Sequence, residues 1–327
     1  MSSERKPVIL IADDDVVFLD FMSTVLEKHS YDVICAEDGD KALQAILHDP
    51  VDLVLLDVGM PKWDGIALCR IIKSSPQSRL IPVVLLTGDV DPAVRMEAIE
   101  AGADDFLTKP VNMQELFARV RSLVRLKFFT DELEHTEAVL FSLAKSIEGR
   151  DRYTKGHCDR LSSYSVALAE RLNLPEGQRV ALRRAGVVHD IGKVVIPDEI
   201  LLKTGPLSPL EWQLMKFHPV IGADICSPLK TFRLVLPIIR HHHEKLDGSG
   251  YPDGLKGDQI PITARILTIV DVFDALTTRR PYKESLPVDK AIEIMRDEAR
   301  RGLLDKLLLD EFEAMRLDPN LVLFDSR

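Results

Sequence analysis

A chain of 327 residues with 46% apolar and 29% charged side chains is long enough for about two domains and has a globular composition. Its net charge of −10 argues against a broad nucleic-acid footprint, which needs a basic face, but leaves room for a small basic pocket. Cys35, Cys69, Cys158 and Cys226 are widely spaced and form no CxxC pair, which fits free thiols in a reducing compartment better than disulfides. The polar start and the lack of any apolar run near 18 residues predict a cytoplasmic protein with no signal peptide and no membrane span.

Four short apolar runs open the chain: Val8–Ala12, Val51–Leu56, Pro82–Leu86 and Asp105–Thr108. Their length and β-branched content predict buried strands, and helical patterns such as Val17–His29 and Asp64–Ser74 lie between them. Strands alternating with helices predict an α/β doubly wound parallel sheet, in which function collects at the carboxyl ends of the strands. Asp13-Asp14-Asp15, Asp57, Thr87 and Lys109 all fall at such ends. Three carboxylates brought together are unstable without a cation, so Asp13, Asp14 and Asp57 imply a bound Mg²⁺. With Lys109 neutralising charge, the site suits phosphoryl transfer onto Asp57. Acidic residues that merely cap helices would explain one aspartate, but not two acids, a hydroxyl and a lysine on four strand ends.

The segments ILIADDD, LVLLDVGMPKWDG, VVLLTGD and AGADDFLTKP resemble the flavodoxin-like receiver domain of two-component response regulators, over residues 6 to about 124. The resemblance implies a sensor histidine kinase as partner and Asp57 as phospho-acceptor. It implies that Asp13, Asp14 and the Gly59 carbonyl hold Mg²⁺, that Lys109 pairs with the phosphoryl group, and that Thr87 and Phe106 form a switch pair.

The expected domain layout is 1–124 for this sheet, 125–150 for a helical connector and 151–327 for a second domain. In the connector, Leu116, Val120, Leu123 and Val124 have the spacing of a helix packed on the sheet. Beyond them Leu126, Leu133, Leu140 and Ile147 recur every seven residues, with Phe129 and Leu143 between and Thr136 interrupting. This seam favours a homodimer through a parallel helix over packing within one chain.

Long helical patterns dominate the rest: Asp159–Leu172, Glu176–His189, Pro209–Lys216, Thr263–Thr277, Val288–Glu298 and an apolar-spaced tail from Leu303. Strand signals are scarce, so an all-α domain is predicted. Asp271 and Asp274 lie within an apolar helix and need partners. Six of the nine histidines fall at or after His157. In the run from Arg184 to Lys193, His189 and Asp190 are adjacent and Lys193 follows four residues after His189, near the same face if the helix continues. His157, His189, Asp190, His218, His242, His243 and Asp271 come from several helices. A lone histidine is usually a satisfied core residue, but seven such groups point to a two-metal centre bridged by Asp190. Imidazole with carboxylate fits iron or manganese, and zinc is also compatible. Two histidines then lead into a Gly-rich turn at Gly248-Ser249-Gly250-Tyr251-Pro252 that lets backbone approach a ligand or partner closely.

The combination HDIGK, HHEKLDGSGYP and DVFDALTTRRPYK resembles the HD-GYP branch of the HD phosphohydrolases, over about 146 to 310. The resemblance implies hydrolysis of cyclic di-GMP to linear pGpG and onward to GMP, with the seven groups as metal ligands. Asp190 and Lys193 would be catalytic, and Lys193, Arg280 and Lys283 would bind substrate. Gly250, Tyr251 and Pro252 form the signature loop, implicated in docking diguanylate cyclase (GGDEF) proteins. Members with a third metal carry a Glu four residues before the first ligand histidine. Tyr153 stands there, so two metals are expected. His241 is expected to be an ordinary helix-end histidine.

The expected function is a response regulator controlling a metal-dependent cyclic di-GMP phosphodiesterase. A catalytically weak scaffold or sensor, or a hydrolase of another cyclic dinucleotide, are the competing readings. The lack of a helix-turn-helix with a basic face argues against direct DNA binding.

Overall fold

The computed structural model describes residues 5–60, 63–88, 92–150, 156–278 and 285–317. Two compact units divide the chain, Met1–Thr136 and Glu137–Arg327. In the first, β1 (Val8–Ala12), β2 (Asp32–Ala36), β3 (Leu53–Asp57), β4 (Val83–Thr87) and β5 (Asp105–Thr108) form one parallel sheet. Helices α1 (Val16–Lys28), α2 (Gly39–His48), α3 (Gly65–Ser74) and α4 (Pro92–Glu100) connect the strands, and α5 (Met113–Arg150) follows the last. The strand order β2-β1-β3-β4-β5 reverses between β1 and β3. The crevice at that reversal is where a doubly wound sheet binds its ligand, and Asp13 and Asp57 stand at its two lips.

Continuous apolar strands fit a sheet covered on both faces. Leu10, Val54, Leu56, Val83 and Leu85 point into one layer, while Ile9, Ile11, Leu53, Leu55, Val84 and Leu86 point into the other. Leu116, Val120 and Val124 of α5 are buried in that second layer, as their spacing predicts. Asp15, Asp38 and Asp64 cap α1, α2 and α3 by accepting from backbone amides. Strand β2 was not among the four expected strands. It is an edge strand with only Ala36 buried, and its apolar run is the short Val33–Ala36.

The second unit has helices and no strand among its described residues: α6 (His157–Arg171), α7 (Glu176–Val188), α8 (Asp198–Leu201), α9 (Pro209–Met215), α10 (His218–Cys226), α11 (Leu236–His241), α12 (Ile262–Thr277), α13 (Val288–Arg300) and α14 (Lys306–Arg316). One core holds all of these but α8 and α9, which bury no residue, and it is built on residues such as Leu161, Leu182, Phe232, Ile266 and Phe312. The C-terminal part of α5 joins it: Ala144 is buried there, with Leu140, Phe141 and Ile147 packed against it. The expected heptad seam therefore splits. Leu140 and Ile147 are used within the chain, while Leu126, Phe129, Leu133 and Leu143 are exposed.

A second expectation, that Lys193 continues the helix of His189, is corrected. Helix α7 ends at Val188, and Ile191–Val195 turns instead as a 3-10 helix. Gly192 explains the break. A Cβ there would lie 1.9 Å from the His218 carbonyl oxygen and 2.6 Å from the Gly222 amide, so only glycine lets this turn press on α10. All four cysteines are free, and no helix among the described residues is long and apolar enough to cross a membrane.

Candidate functional site

At the crevice of the sheet, oxygens of Asp13, Asp14 and Asp57 lie within 4.8 Å of one another. Asp13 and Asp57 are buried, and the Lys109 Nζ sits 2.6 Å from each. Burial lowers the lysine's pKa, but hydrogen bonds to the two carboxylates outweigh it and raise the pKa, so the ammonium stays charged. Burial raises the Asp13 carboxyl, with Lys109 opposing. Gly59 donates its amide to Asp57 Oδ2 at 2.9 Å. Thr87 is buried at the end of β4, and the Lys109 amide donates to its carbonyl at 2.7 Å. Phe106 is half-buried, with the Arg95 guanidinium 4.3 Å above its ring. Asp13, Asp14, Asp57, Gly59, Thr87 and Lys109 thus stand at or just beyond the carboxyl ends of the strands, while Phe106 lies within β5, paired with Leu85 of β4.

The helical unit gathers the other seven. Ligand atoms of His157, His189 and Asp271 lie within 4.8 Å of one another, as do those of Asp190, His218, His242 and His243. Asp190 stands between the groups: Oδ2 is 3.4 Å from His189 Nε2, and Oδ1 is 3.2 Å from His218 Nε2. The Gly192 turn produces this, because it brings the residue after α7 against the start of α10.

The ring protons decide what the cluster can hold. His218 Nδ1 is 2.7 Å from the Met215 carbonyl, and His242 Nδ1 is 2.6 Å from that of Ile239. Each proton is committed there, which leaves both Nε2 atoms as lone-pair acceptors. Yet those atoms are 3.4 Å apart, and His218 Nε2 faces Asp190 Oδ1, a buried oxygen with no hydrogen-bond donor. Three converging acceptors repel one another unless a cation lies among them, so the donor set fits a divalent metal. Burial, then His243, hold the His242 pKa well below the usual imidazole value, and burial brings His243 to about 4. Both rings are therefore neutral ligands at neutral pH. Burial opposes charge on Asp190, but Lys193 and His189 prevail and hold its pKa well below the carboxylate range. His189 is lifted against its own burial by Asp190 and Asp271, a field that favours positive charge at this spot.

Comparison with known proteins finds a matching family in each unit. A model of the response regulator receiver domain matches residues 9–121, and a model of the HD domain matches residues 137–308. A cyclic di-GMP phosphodiesterase response regulator, RpfG of Xanthomonas campestris pv. campestris, is 37% identical over 90% of this chain and 84% of its own length. The chain belongs to the response regulators that join a receiver to an HD domain. A cyclic di-GMP phosphodiesterase of Thermotoga maritima is 35% identical over 86% of this chain and 83% of its own. The 3'3'-cGAMP-specific phosphodiesterase 2 of Vibrio cholerae is 40% identical over 58% of this chain and 38% of its own.

Within the HD domain, Lys193 Nζ lies 2.5 Å from Asp190 Oδ2, reached from the 3-10 turn rather than along a helix. Arg280, Lys283 and Tyr153 lie outside the described residues. The signature loop is fastened to the cluster: the Tyr251 amide donates to the His243 carbonyl at 3.2 Å, and the two rings are 4.8 Å apart. Gly250 is required here, since a Cβ would meet the Lys245 amide nitrogen at 2.4 Å.

Sequence reasoning left several supporting residues unassigned. Asp274 Oδ2 is 2.6 Å from His157 Nδ1, and Arg160 holds Oδ1 at 2.5 Å. Despite burial, which raises it, His157 and Arg160 bring the Asp274 carboxyl to about 2. This carboxylate sets the tautomer of His157 so that Nε2 faces Asp271, 3.6 Å away. A buried aspartate one helical turn after Asp271 was the visible signal. Glu244, only 2% exposed, accepts from the amides of Asp253, Gly254 and Leu255 and so holds the chain after Pro252. His241 is the last residue of α11, with its Nδ1 3.5 Å from Asp253, itself held by Arg240 through two bonds. Glu148, at the end of α5, lines a cavity of about 30 Å³ with His157, His189, Asp190 and Lys193. That volume has room for about two waters. Nothing in the spacing around Glu148 marked it.

Proposed function

We propose that this protein is a response regulator, phosphorylated on Asp57 by a histidine kinase, whose HD domain hydrolyses cyclic di-GMP to pGpG and onward to GMP at a two-metal site. The observation that carries this reading is the sharing of Asp190, one oxygen toward each ligand group. His157, His189, Asp190 and Asp271 would hold one cation, and Asp190, His218, His242 and His243 the other. Iron or manganese suits this donor set, and Mg²⁺ suits the all-oxygen receiver site of Asp13, Asp14, Asp57 and Gly59. Two such cations would polarise a phosphodiester and lower the pKa of a water between them. Asp190 keeps its negative charge and is oriented by Lys193, whose ammonium also reaches the rim where a phosphate oxygen would gain charge. Arg280 and Lys283 are assigned to the guanylate phosphates, and Tyr251 closes the site beside His243.

In the receiver, Lys109 already bridges Asp13 and Asp57, so a phosphoryl group on Asp57 would meet a fixed positive charge. Thr87 and Phe106 are the residues expected to respond, and α5 the element that carries the response. The exposed Leu126, Phe129 and Leu133 support a homodimer through α5. The loop around Gly250–Pro252 is the proposed dock for GGDEF proteins.

The test is to incubate the purified chain with Mn²⁺ or Fe²⁺ and cyclic di-GMP, then resolve the products and count bound metal. Hydrolysis with two metals per HD domain is expected, and Asp190→Ala should remove both. Turnover of 3'3'-cGAMP in preference to cyclic di-GMP would replace the substrate. Metal and ligand binding without turnover would make the domain a sensor.

A further inference from the structure

One aromatic stands outside the ligand set yet beside it. Helix α9 is short and firmly started: Ser208 and Glu211 make reciprocal capping bonds, and Lys203 holds the Glu211 carboxylate. It leads within a few residues to His218. On it Trp212 is 45% exposed, an unusual place for a large indole to be left half in water. The Trp212 ring meets Tyr251 edge-on, with centroids 6.3 Å apart, and Tyr251 in turn lies 4.8 Å from His243. Lys216 Nζ sits 5.7 Å from the Trp212 ring centre and 5.4 Å from that of Tyr251. A row of rings thus runs outward from the histidine cluster, ending in an exposed indole with a cation beside it.

We propose that Trp212 and Lys216 form a purine subsite for one base of the cyclic dinucleotide, a reading that rests on the function proposed above. The scissile phosphate belongs at the cluster, and the base attached to it must lie about one nucleotide further out. Trp212 is there, two ring contacts from His243. Stacking of a base on an aromatic side chain contributes about 1–3 kcal/mol, and an indole offers the largest face of any side chain. Lys216 adds a donor for the O6 and N7 acceptors that distinguish guanine, and its charge over both rings keeps it near the stacking plane. Tyr251 then backs the indole rather than contacting the base itself. The subsite would select dinucleotides with a purine at this position over those with a pyrimidine.

The experiment uses the full Mn²⁺-loaded chain and two substrates: cyclic di-GMP, and methyl p-nitrophenyl phosphate, a diester with no nucleobase. Trp212→Ala is expected to raise KM for cyclic di-GMP about 5- to 150-fold, a clearly larger loss than on the simple diester. Trp212→Phe should recover most of the difference. Equal losses on both substrates, or no change with cyclic di-GMP, would overturn the subsite. A separate readout does not depend on turnover. In Trp63→Phe protein the emission comes from Trp212 alone, and saturable quenching by GMP is expected. Absence of quenching rejects the purine subsite. Cleavage of the simple diester but not of cyclic di-GMP, with quenching intact, would instead reject the assigned substrate and leave the subsite standing.

Discussion

A metal-binding histidine needs its second nitrogen occupied, and in this cluster the occupants differ in kind. His218 and His242 donate to backbone carbonyls, which no side-chain substitution removes. His157 depends on a side chain, Asp274. Asp274→Asn is therefore expected to weaken metal binding by roughly 10- to 100-fold, the usual cost of losing such a partner. Metal titration of the purified variant checks this, and affinity equal to the parent's would show that His157 keeps its tautomer unaided. In the receiver, Asp57→Asn should abolish phosphorylation by a small phosphodonor, while a phosphate recovered at any other residue would contradict the assignment. The seven residues that cluster could be named before any coordinates, because imidazoles and carboxylates are the side chains that metal chemistry uses and the motifs that hold them resemble a known family. Asp274, Glu244 and Glu148 could not, since a carboxylate's purpose depends on which donor the fold sets opposite it.

Among the elements, the turn after α7 matters most. Its 3-10 geometry exists because Gly192 allows backbone to touch backbone at α10. Gly192→Ala would drive a Cβ into the His218 carbonyl, so one helix must move. Overpacking of this kind costs about 1–3 kcal/mol, and the displaced groups are Asp190 and His218 themselves. Thermal unfolding should show the lower stability, and metal content should fall with it. A variant of parental stability and full metal content would mean that the turn can shift freely. Periodicity located the longer helices of the HD domain, and placed the end of α7 within one residue, but not α8, α10 or α11, which are too short to show a repeating apolar face.

For the whole molecule, α5 runs through both units: Leu116, Val120 and Val124 lie in a core of the receiver, and Ala144 in that of the HD domain. Inserting four residues after Thr130 would lengthen this helix by about 6 Å and rotate its second half by about 40°. The insertion is expected to leave phosphorylation of Asp57 and basal hydrolysis in place but to break the dependence of one on the other. Hydrolysis that still responds to a phosphodonor would exclude α5 as the conductor.

Strand ends, ligand types and the two-part layout could be read from residue order, because buried parallel strands are unbroken apolar runs and metal chemistry uses few side chains. Residue order did not say that Asp190 offers one oxygen to each histidine group, that Leu140 and Ile147 of the connector seam are used within the chain, or that Trp212 stands beside Tyr251. Those facts depend on which segments distant in sequence are pressed together, and packing alone decides that.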